Sequence, residues 1–276
     1  MRLSTLLAFA ALSRQATYAC PQNNLPLQKV LGGFSQNRAP TNRDWNYDNS
    51  YDWGKIKPNY TLCQTGTLQS PIDLPITPSI SRRNQPSISS NFSSVEGELS
   101  NWGYGASFVV TEKKITARPS ITYQGNNKNF LDSWHIHAPS EHTINGYRAR
   151  AELHIVHTDS NGIEAGVFAL LLDPGLPSSA FVSQFIDNAN VSPGSDTTNP
   201  VTTRLNMSLA FEEVRGFREY WTYMGSLTSP PCNEGIRWWV AKETLFVSTE
   251  QMQKLLRISA YSARVEQKIW AHRIGV

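Results

Sequence analysis

The fold is decided by two neighbouring stretches, Ser133-Trp-His-Ile-His-Ala-Pro-Ser-Glu-His-Thr143 and Ala151-Glu-Leu-His-Ile-Val-His157. Together they contain five of the six histidines of the chain. In both stretches polar and apolar residues alternate, which predicts β-strands with one polar and one apolar face. Between them, Asn145-Gly146 is a strong signal for a two-residue hairpin turn, so the second strand should return near the first.

Alternation places His135 and His137 on one face of the first strand, and Glu152, His154 and Val156 on one face of the second. If the hairpin forms, three imidazoles converge. Three histidines with a fourth position left to water are typical of a catalytic zinc site. The alternative for each histidine alone is a surface or hydrogen-bonded core residue, but the strand-borne spacing favours a metal site.

The composition is that of a folded domain. The chain has 276 residues, of which 39% are hydrophobic and 17% charged. We predict one mainly β domain over residues 45–276, with a few peripheral helices. Without residues 1–19 the chain has 23 basic and 22 acidic side chains, so its charge gives no support for nucleic-acid binding.

Residues 1–19 have the pattern of a secretory signal peptide, with Arg2, an apolar run and the small-residue end Thr17-Tyr18-Ala19. Residues 20–44 are rich in Pro, Asn and Gln and are predicted to form an N-terminal arm. No later stretch is long and apolar enough for a transmembrane helix. We therefore predict a secreted protein; the alternative is a bacterial periplasmic protein that is lipid-anchored through Cys20.

Three cysteines remain after such cleavage, Cys20, Cys63 and Cys232, so two can pair in an oxidising compartment and one is left over. The unpaired cysteine could join two chains into a homodimer. Four glycosylation sequons begin at Asn59, Asn91, Asn190 and Asn206.

Strands are predicted at residues 106–111, 120–124, 133–137, 151–157 and 166–172. Helices are predicted at residues 178–189, capped by Ser178 or Ser179, and from Ser248, which forms a capping box with Gln251. The aromatic-rich segment 45–60 is predicted to pack the arm against the domain, with sugar binding as the less favoured alternative. Residues 191–200 are predicted to form a polar loop.

Several motifs in this order resemble the α-class carbonic anhydrases, especially the secreted, disulfide-bearing and fungal members. They are His135-x-His137, Ser140-Glu141-His142-Thr143, Ala151-Glu152-Leu153-His154, Gly225-Ser226-Leu227-Thr228-Ser229-Pro230-Pro231-Cys232 with Arg237-Trp238, and Gln69-Ser70-Pro71-Ile72-Asp73. The similarity extends over about residues 45–270 of the sequence.

The resemblance implies a large, mostly antiparallel, twisted central sheet and a cleft that ends at Zn²⁺. It implies reversible hydration of carbon dioxide to bicarbonate and a proton, by attack of zinc-bound hydroxide, with weak esterase activity and inhibition by anions and sulfonamides. His135, His137 and His154 would be the zinc ligands, and Glu152 and Ser133 would orient them from the second shell.

The resemblance further implies that Thr228 orients the hydroxide and donates to Glu141, and that Ser229 contacts bicarbonate. Its apolar substrate wall corresponds to Val156, Leu227 and Trp238; a further wall residue is expected within residues 163–168, without an assigned register. His142 and His157 correspond to buried structural histidines. The disulfide of secreted members corresponds to Cys63 and Cys232, which leaves Cys20 free.

The sequence departs from the family pattern in its proton exit. Tyr104 stands where fast members have a proton-shuttling histidine, and a phenol with a pKa near 10 is a poor shuttle. Ser133 replaces a glutamine before the first ligand. The N-terminal Trp-Gly-Tyr signature is matched with Trp53-Gly54-Lys55, which predicts the loss of a tyrosine from the cleft. His272 is expected at the surface.

Two competing functions remain. A catalytically weak, carbonic-anhydrase-like binding or adhesion module would typically lack one or more ligand histidines, whereas this chain has all three together with Glu141 and Thr228. A different zinc hydrolase is disfavoured because no further carboxylate general base is evident in the motifs.

Overall fold

The computed structural model of the chain describes residues 43–76, 80–81, 85–192 and 200–275. The predicted signal peptide, Cys20, almost all of the arm and the centre of the 191–200 loop lie outside the described residues. In the part of the chain that is described, no helix is long and apolar enough to cross a bilayer.

The described residues form thirteen strands. They are β1 (Asp73–Leu74), β2 (Ser87–Ile88), β3 (Val95–Asn101), β4 (Ala106–Val110), β5 (Ser120–Tyr123), β6 (Asn127–His137), β7 (Thr143–Ile144), β8 (Ala151–Thr158), β9 (Glu164–Pro174), β10 (Val201–Leu205), β11 (Tyr220–Ser226), β12 (Glu234–Ala241) and β13 (Leu245–Val247). Eleven of them build one sheet with the main order β10-β3-β4-β6-β8-β9-β12-β11. Its pairs are antiparallel except that β12 and β13 run parallel to β9, which confirms the predicted mainly β architecture.

In the described part of the chain, four short α-helices lie outside the sheet: α1 (Leu62–Thr65), α2 (Ala180–Ser183), α3 (Ser208–Glu213) and α4 (Thr249–Ile258). Turns of 3₁₀-helix occur at Ser50–Lys55, Pro58–Tyr60, Ser90–Ser93, Ile115–Ala117, Ala189–Val191 and Arg215–Phe217. Helix α4 begins at the predicted capping box, where the Ser248 hydroxyl accepts from the Gln251 backbone and the Gln251 side chain accepts from Ser248.

The helix predicted over residues 178–189 is much shorter than expected. Ser179 caps it as predicted, but only Ala180–Ser183 is α-helical. Beyond it the backbone continues mainly in tighter three-residue turns, such as Gln184 N–H to the Phe181 carbonyl. The Gln184 side chain also bonds to the backbone of Asn206, which fixes the chain in this tighter path.

Strand β8 lies at the centre of the sheet and is buried along its whole length. Its apolar residues Leu153 and Ile155 belong to the main core, which also contains Trp134, Phe168 and the buried side of α4. The opposite face of β8 carries Glu152, His154 and Val156. Because both faces are covered, the polar residues of this strand are held in a dry environment.

The predicted hairpin turn is present. Asn145 and Gly146 both have positive φ, 49° and 78°, and Tyr147 N–H donates to the Ile144 carbonyl at 2.9 Å. These backbone angles suit Asn and Gly and match the twist of flanking strands. The turn returns the chain so that β8 pairs antiparallel with β6, and His135 lies directly opposite His154.

Candidate metal centre

His135, His137 and His154 converge as the alternation predicted. One nitrogen from each lies within 4.8 Å of the others, and the ring centroids are 4.6 to 5.4 Å apart. The two strands supply this arrangement, because His135 is paired with His154 and His137 follows two residues later on the same face.

Hydrogen bonds on the far side of the rings fix which nitrogens point inward. Nδ1 of His137 donates to the Ser262 carbonyl at 2.6 Å, and Nε2 of His154 donates to Glu152 Oε1 at 2.8 Å. The rings of His137 and His154 then each carry the proton on the outer nitrogen and a lone pair on the inner one. The inner nitrogen of His137, Nε2, is buried and has no hydrogen-bond partner.

Burial lowers the pKa of all three imidazoles. The pKa of His135 falls to about 3, with His154 as the second cause, and the pKa values of His137 and His154 also lie below the ordinary range because of burial. The rings are therefore neutral at neutral pH. Neutral, inward-facing imidazoles are the form that binds a divalent cation.

Glu152 is the buried carboxylate behind the triad. Its Oε1 accepts from His154 and from Nδ1 of His142 at 2.6 Å, and its Oε2 accepts from the backbone N–H groups of Glu141 and His142 at 2.7 and 2.8 Å. Burial alone would raise its pKa, but His142 and His154 lower it well below the ordinary value. An ionised Glu152 can thus orient His154.

The other histidines have structural surroundings. His142 contacts Glu152 and, through Nε2, the Tyr223 hydroxyl at 2.7 Å, while His157 is fully buried against Phe168. The expectation of a surface position for His272 is wrong. Its Nε2 donates to the Gln69 carbonyl at 3.0 Å and its half-buried ring lies 5.6 Å from that of Tyr223.

A second buried carboxylate, Glu141, lies on the inner side of the triad. Its Oε1 accepts from the Arg264 backbone at 2.8 Å, and its Oε2 lies 3.5 Å from Nε2 of His137. None of the described groups forms a hydrogen bond with Oε2. Burial raises the pKa of Glu141 well above its ordinary value, although the Thr228 hydroxyl beside it acts in the opposite direction.

Two histidines of the triad, His135 and His137, line a cleft of about 330 Å³. Its lining combines the ligand strands with the loop after β11 and the N-terminal segment: Arg43, Trp45, Tyr47, Trp102, Ser107, Val109, Ser133, Trp134, His135, His137, Thr228 and Ser229. A larger hollow of about 520 Å³, around Glu96, Lys113 and Arg204, contains none of the triad. The candidate site residues His135, His137, Thr228 and Ser229 line the smaller cleft.

The predicted loss of a tyrosine from the cleft is wrong. Tyr47 supplies one: it lines the cleft and lies 5.9 Å from the His137 ring. It precedes Trp53, the residue matched to the family signature, and is contacted by Trp45 and Trp102. The Trp45-Asn46-Tyr47 sequence is the signal that could have located it.

Tyr104 is beside the cleft but does not line it. Its ring is 2% exposed and contacts Tyr47 and Trp102, each at 5.0 Å between centroids. Its hydroxyl is buried without a hydrogen-bond partner, and burial raises its pKa to about 12. The phenol is a worse proton acceptor than its position in the sequence suggested.

The residues predicted to form the apolar wall lie on adjacent strands or pack against them. Val156 on β8 is paired with Val167 on β9, and Val167 is paired with Trp238 on β12. All three belong to one cluster, against which Leu227 packs. Within residues 163–168, for which the sequence left the register unassigned, Val167 is the residue that lies beside Val156 and Trp238.

Ser133 and Ser229 both line the cleft, and Ser133 is paired with Val156 next to the triad. Among the described residues, no hydrogen bond joins Ser133 to the His135 ring. Cys63 and Cys232 form a disulfide. The Cys232 N–H also donates to the Ser229 carbonyl at 2.9 Å, so this bridge braces the loop that carries Thr228.

The four sequon asparagines differ in exposure. Asn59 and Asn91 are exposed, whereas Asn190 and Asn206 are half-buried. The backbone N–H of Asn206 donates to Gln184 and its side chain accepts from Ser208. Glycan attachment is sterically easier at the first two positions.

Residues 48–272 match the family model described as eukaryotic-type carbonic anhydrase. The chain is 34% identical to alpha carbonic anhydrase 4 of Arabidopsis thaliana over 74% of its own length and 71% of the relative's. It is 32% identical to a carbonic anhydrase of Pectobacterium carotovorum, covering 76% and 81%. The solved α-carbonic anhydrase of Thermovibrio ammonificans, in complex with sulfanilamide, is similar with a TM-score of 0.69 and 27% identity, covering 83% and 96% of the two chains.

Proposed function

The chain belongs to the eukaryotic-type carbonic anhydrase family, and we propose that His135, His137 and His154 hold the zinc ion with which it hydrates carbon dioxide. The observation that carries this assignment is the convergence of one nitrogen from each ring within 4.8 Å. Zinc is the metal on which this family depends, and three histidines with an open fourth position are the donor set of catalytic zinc.

The surroundings of the triad fit a divalent cation. The imidazoles are neutral, with His137 and His154 buried and His135 partly buried. The unpartnered Nε2 of His137 faces the unpartnered Oε2 of Glu141. An acceptor nitrogen and a carboxylate oxygen cannot satisfy one another without a proton or a cation. A cation held by the rings would also favour the ionised form of Glu141, which burial alone disfavours.

When bound, zinc acts as a Lewis acid that makes a water molecule acidic enough to act as a nucleophile near neutral pH. The task of the chain is to hold three neutral donors without adding negative charge to the ion. Glu152 contributes by accepting from His154 Nε2, which keeps the Nδ1 lone pair turned inward. Ser262 does the same for His137 through its carbonyl.

Thr228 and Glu141 would select the protonation state of whatever lies in the cleft. If the Thr228 hydroxyl donates to Glu141, its oxygen can only accept, so it favours a neighbouring group that still has a proton to give. This interpretation is supported by the position of Thr228 in the cleft lining and by its lowering of the Glu141 pKa. The Ser229 hydroxyl next to it is placed to contact bicarbonate.

Carbon dioxide is apolar and needs a dry surface beside the nucleophile. Val156, Val167 and Trp238 lie side by side on adjacent strands, and Leu227 completes the surface. The first three belong to the apolar cluster on the triad's side of the sheet and Leu227 packs against it, so packing alone can hold carbon dioxide there. We therefore assign these residues to substrate binding.

The disulfide between Cys63 and Cys232 supports an oxidising compartment, and we propose that the protein is secreted. Sulfonamides are expected to inhibit it, since the similar Thermovibrio enzyme is solved with sulfanilamide bound. A Cys20-linked homodimer remains a prediction that electrophoresis without reductant would test.

The decisive experiment combines metal analysis with stopped-flow carbon dioxide hydration, with and without a sulfonamide. We expect one zinc per chain, activity that the sulfonamide abolishes, and loss of both zinc and activity in His154→Ala. A chain that binds one zinc yet leaves hydration at the uncatalysed rate would contradict the proposal and favour a binding module.

A further inference from the structure

Arg43 lines the same cleft as His135 and His137. Its guanidinium carbon is 5.1 Å from the ring centroids of both Trp45 and Trp102, and 5.7 Å from that of Tyr104. The Trp102 ring in turn lies 5.2 Å from His135. Aromatic rings thus hold the Arg43 cation within the cleft, and the Trp102 ring separates it from His135, a proposed zinc ligand.

The charge of Arg43 is not neutralised by the residues around it. Nη1 is buried and has no hydrogen-bond partner. Arg264, which also stacks on a ring, by contrast donates to the Ser70 and Cys63 carbonyls. Among the described residues, no carboxylate lies within ion-pair distance of Arg43. A buried guanidinium N–H without an acceptor is costly unless a ligand supplies one.

We infer that Arg43 is the anion-binding residue of the cleft and that it holds bicarbonate. The inference rests on the proposed function, since bicarbonate is the product of hydration and the substrate of the reverse reaction. A guanidinium presents parallel N–H donors that match two oxygens of a planar oxyanion. Ring stacking restricts the Arg43 side chain before binding, which lowers the entropic cost of holding the anion.

The position of Arg43 separates two demands on the cleft. Carbon dioxide is uncharged and is received by the apolar wall of Val156, Val167 and Trp238, on which Arg43 has no direct effect. Bicarbonate carries a charge that the apolar wall cannot stabilise, and Arg43 supplies the attraction. The same residue makes the cleft receptive to other small oxyanions, such as nitrate, as competitors of bicarbonate.

The test compares Arg43→Gln and Arg43→Lys with Arg257→Gln, a matched control that removes one positive charge from the exposed end of α4. Nitrate is the probe, and its inhibition constant in carbon dioxide hydration is measured on the zinc-loaded full chain. We expect a rise of about fivefold to tenfold in Arg43→Gln, as for the loss of one charge-assisted contact. Arg43→Lys should show a smaller rise, and Arg257→Gln none beyond about twofold.

A second readout does not depend on turnover. Iodide and uncharged acrylamide are compared as quenchers of tryptophan fluorescence, since Arg43 stacks on Trp45 and Trp102. Bicarbonate should protect the wild-type chain from iodide but not from acrylamide, and Arg43→Gln should lose this protection.

The inference is overturned if nitrate inhibits Arg43→Gln and Arg257→Gln equally, or if bicarbonate gives the wild-type chain no protection from iodide. The second criterion stands even if Arg43→Gln does not fold. A wild-type chain without hydration activity but with bicarbonate protection would refute the proposed function and retain the anion site. A wild-type chain that hydrates carbon dioxide but gains no protection from iodide in bicarbonate would retain the proposed function and refute the anion site.

Discussion

Added imidazole buffer should raise the kcat of hydration in weakly buffered solution, while kcat/KM stays unchanged. Hydration releases a proton that must leave the cleft, and the position that would accept it is occupied by Tyr104. The Tyr104 ring is 2% exposed, its hydroxyl has no partner, and burial raises its pKa to about 12. Proton transfer should therefore limit turnover.

The magnitude follows from the pKa. At pH 7 a phenol whose pKa is about 12 is ionised in roughly one molecule in 10⁵, whereas a small imidazole with a pKa near 7 is about half in its accepting form. Saturating imidazole buffer should raise kcat by at least about tenfold. Tyr104→His should give a smaller rise, because burial and the Arg43 guanidinium 5.7 Å away both disfavour a protonated ring.

Stopped-flow hydration at pH 7, over a series of imidazole concentrations at constant ionic strength, measures the effect. Tyr104→Phe is the control, since its hydroxyl makes no hydrogen bond that the substitution would remove. The reasoning is refuted if wild-type kcat does not depend on buffer, or if Tyr104→Phe lowers kcat substantially.

Three other perturbations test the fold and the cleft. Cys63→Ser should lower stability by about 2 to 5 kcal/mol and also lower kcat/KM, because the disulfide braces the Thr228 loop; equal melting temperatures and activities would contradict this. Val167→Phe should lower kcat/KM by at least about tenfold with zinc content unchanged, since a larger ring would fill the substrate wall; normal kinetics would remove Val167 from that role. Burial lowers the pKa of His157 to about 3 in the folded chain, whereas the unfolded chain has a pKa of about 6.5. Between these pH values the unfolded state binds more protons than the folded state. The free energy of unfolding therefore falls as pH decreases from 6.5 toward 3. The unfolding free energy of His157→Asn should depend less steeply on pH, by about one proton, and an unchanged slope would show that His157 contributes nothing.

The triad was predictable because its geometry is local. A strand alternates with period two, and the Asn145-Gly146 turn requires backbone angles that these residues adopt readily. Those two rules alone place His135, His137 and His154 on one sheet face. The orientation of each ring was less accessible, because the Ser262 carbonyl that fixes His137 comes from 125 residues later in the chain.

The register of β9 was not predictable for a specific reason. Thr158 is paired with Glu164 and His157 with Gly166, so Ala165 is an additional residue that shifts the alternation. Without the partner strand, nothing in Glu164-Ala-Gly-Val-Phe168 distinguishes this bulge from a regular strand. The pairing of Val167 with Val156 therefore needed the structure.

The N-terminal segment was underestimated because aromatic residues have two uses. Trp45 and Tyr47 pack the segment against Trp53 and Trp102, as large apolar rings should. The same rings line the cleft, and they bring Arg43 into it. Composition predicts the packing, but it does not indicate which surface the rings cover.

Trp45, Tyr47, Trp53, Trp102 and Tyr104 form one cluster of contacting rings. This cluster has opposite effects on bicarbonate and on the proton, the two charged products of hydration. It encloses Nη1 of the Arg43 guanidinium, and a partly enclosed cation attracts an anion more strongly than one in water. It also encloses Tyr104, which removes the residue at that position from proton exchange. If both effects operate, bicarbonate has a dedicated residue in the cleft whereas the proton depends on external buffer. Weakening the cluster, for example by Trp102→Leu, should then weaken nitrate inhibition but leave kcat dependent on imidazole buffer, because even an exposed phenol has a pKa near 10.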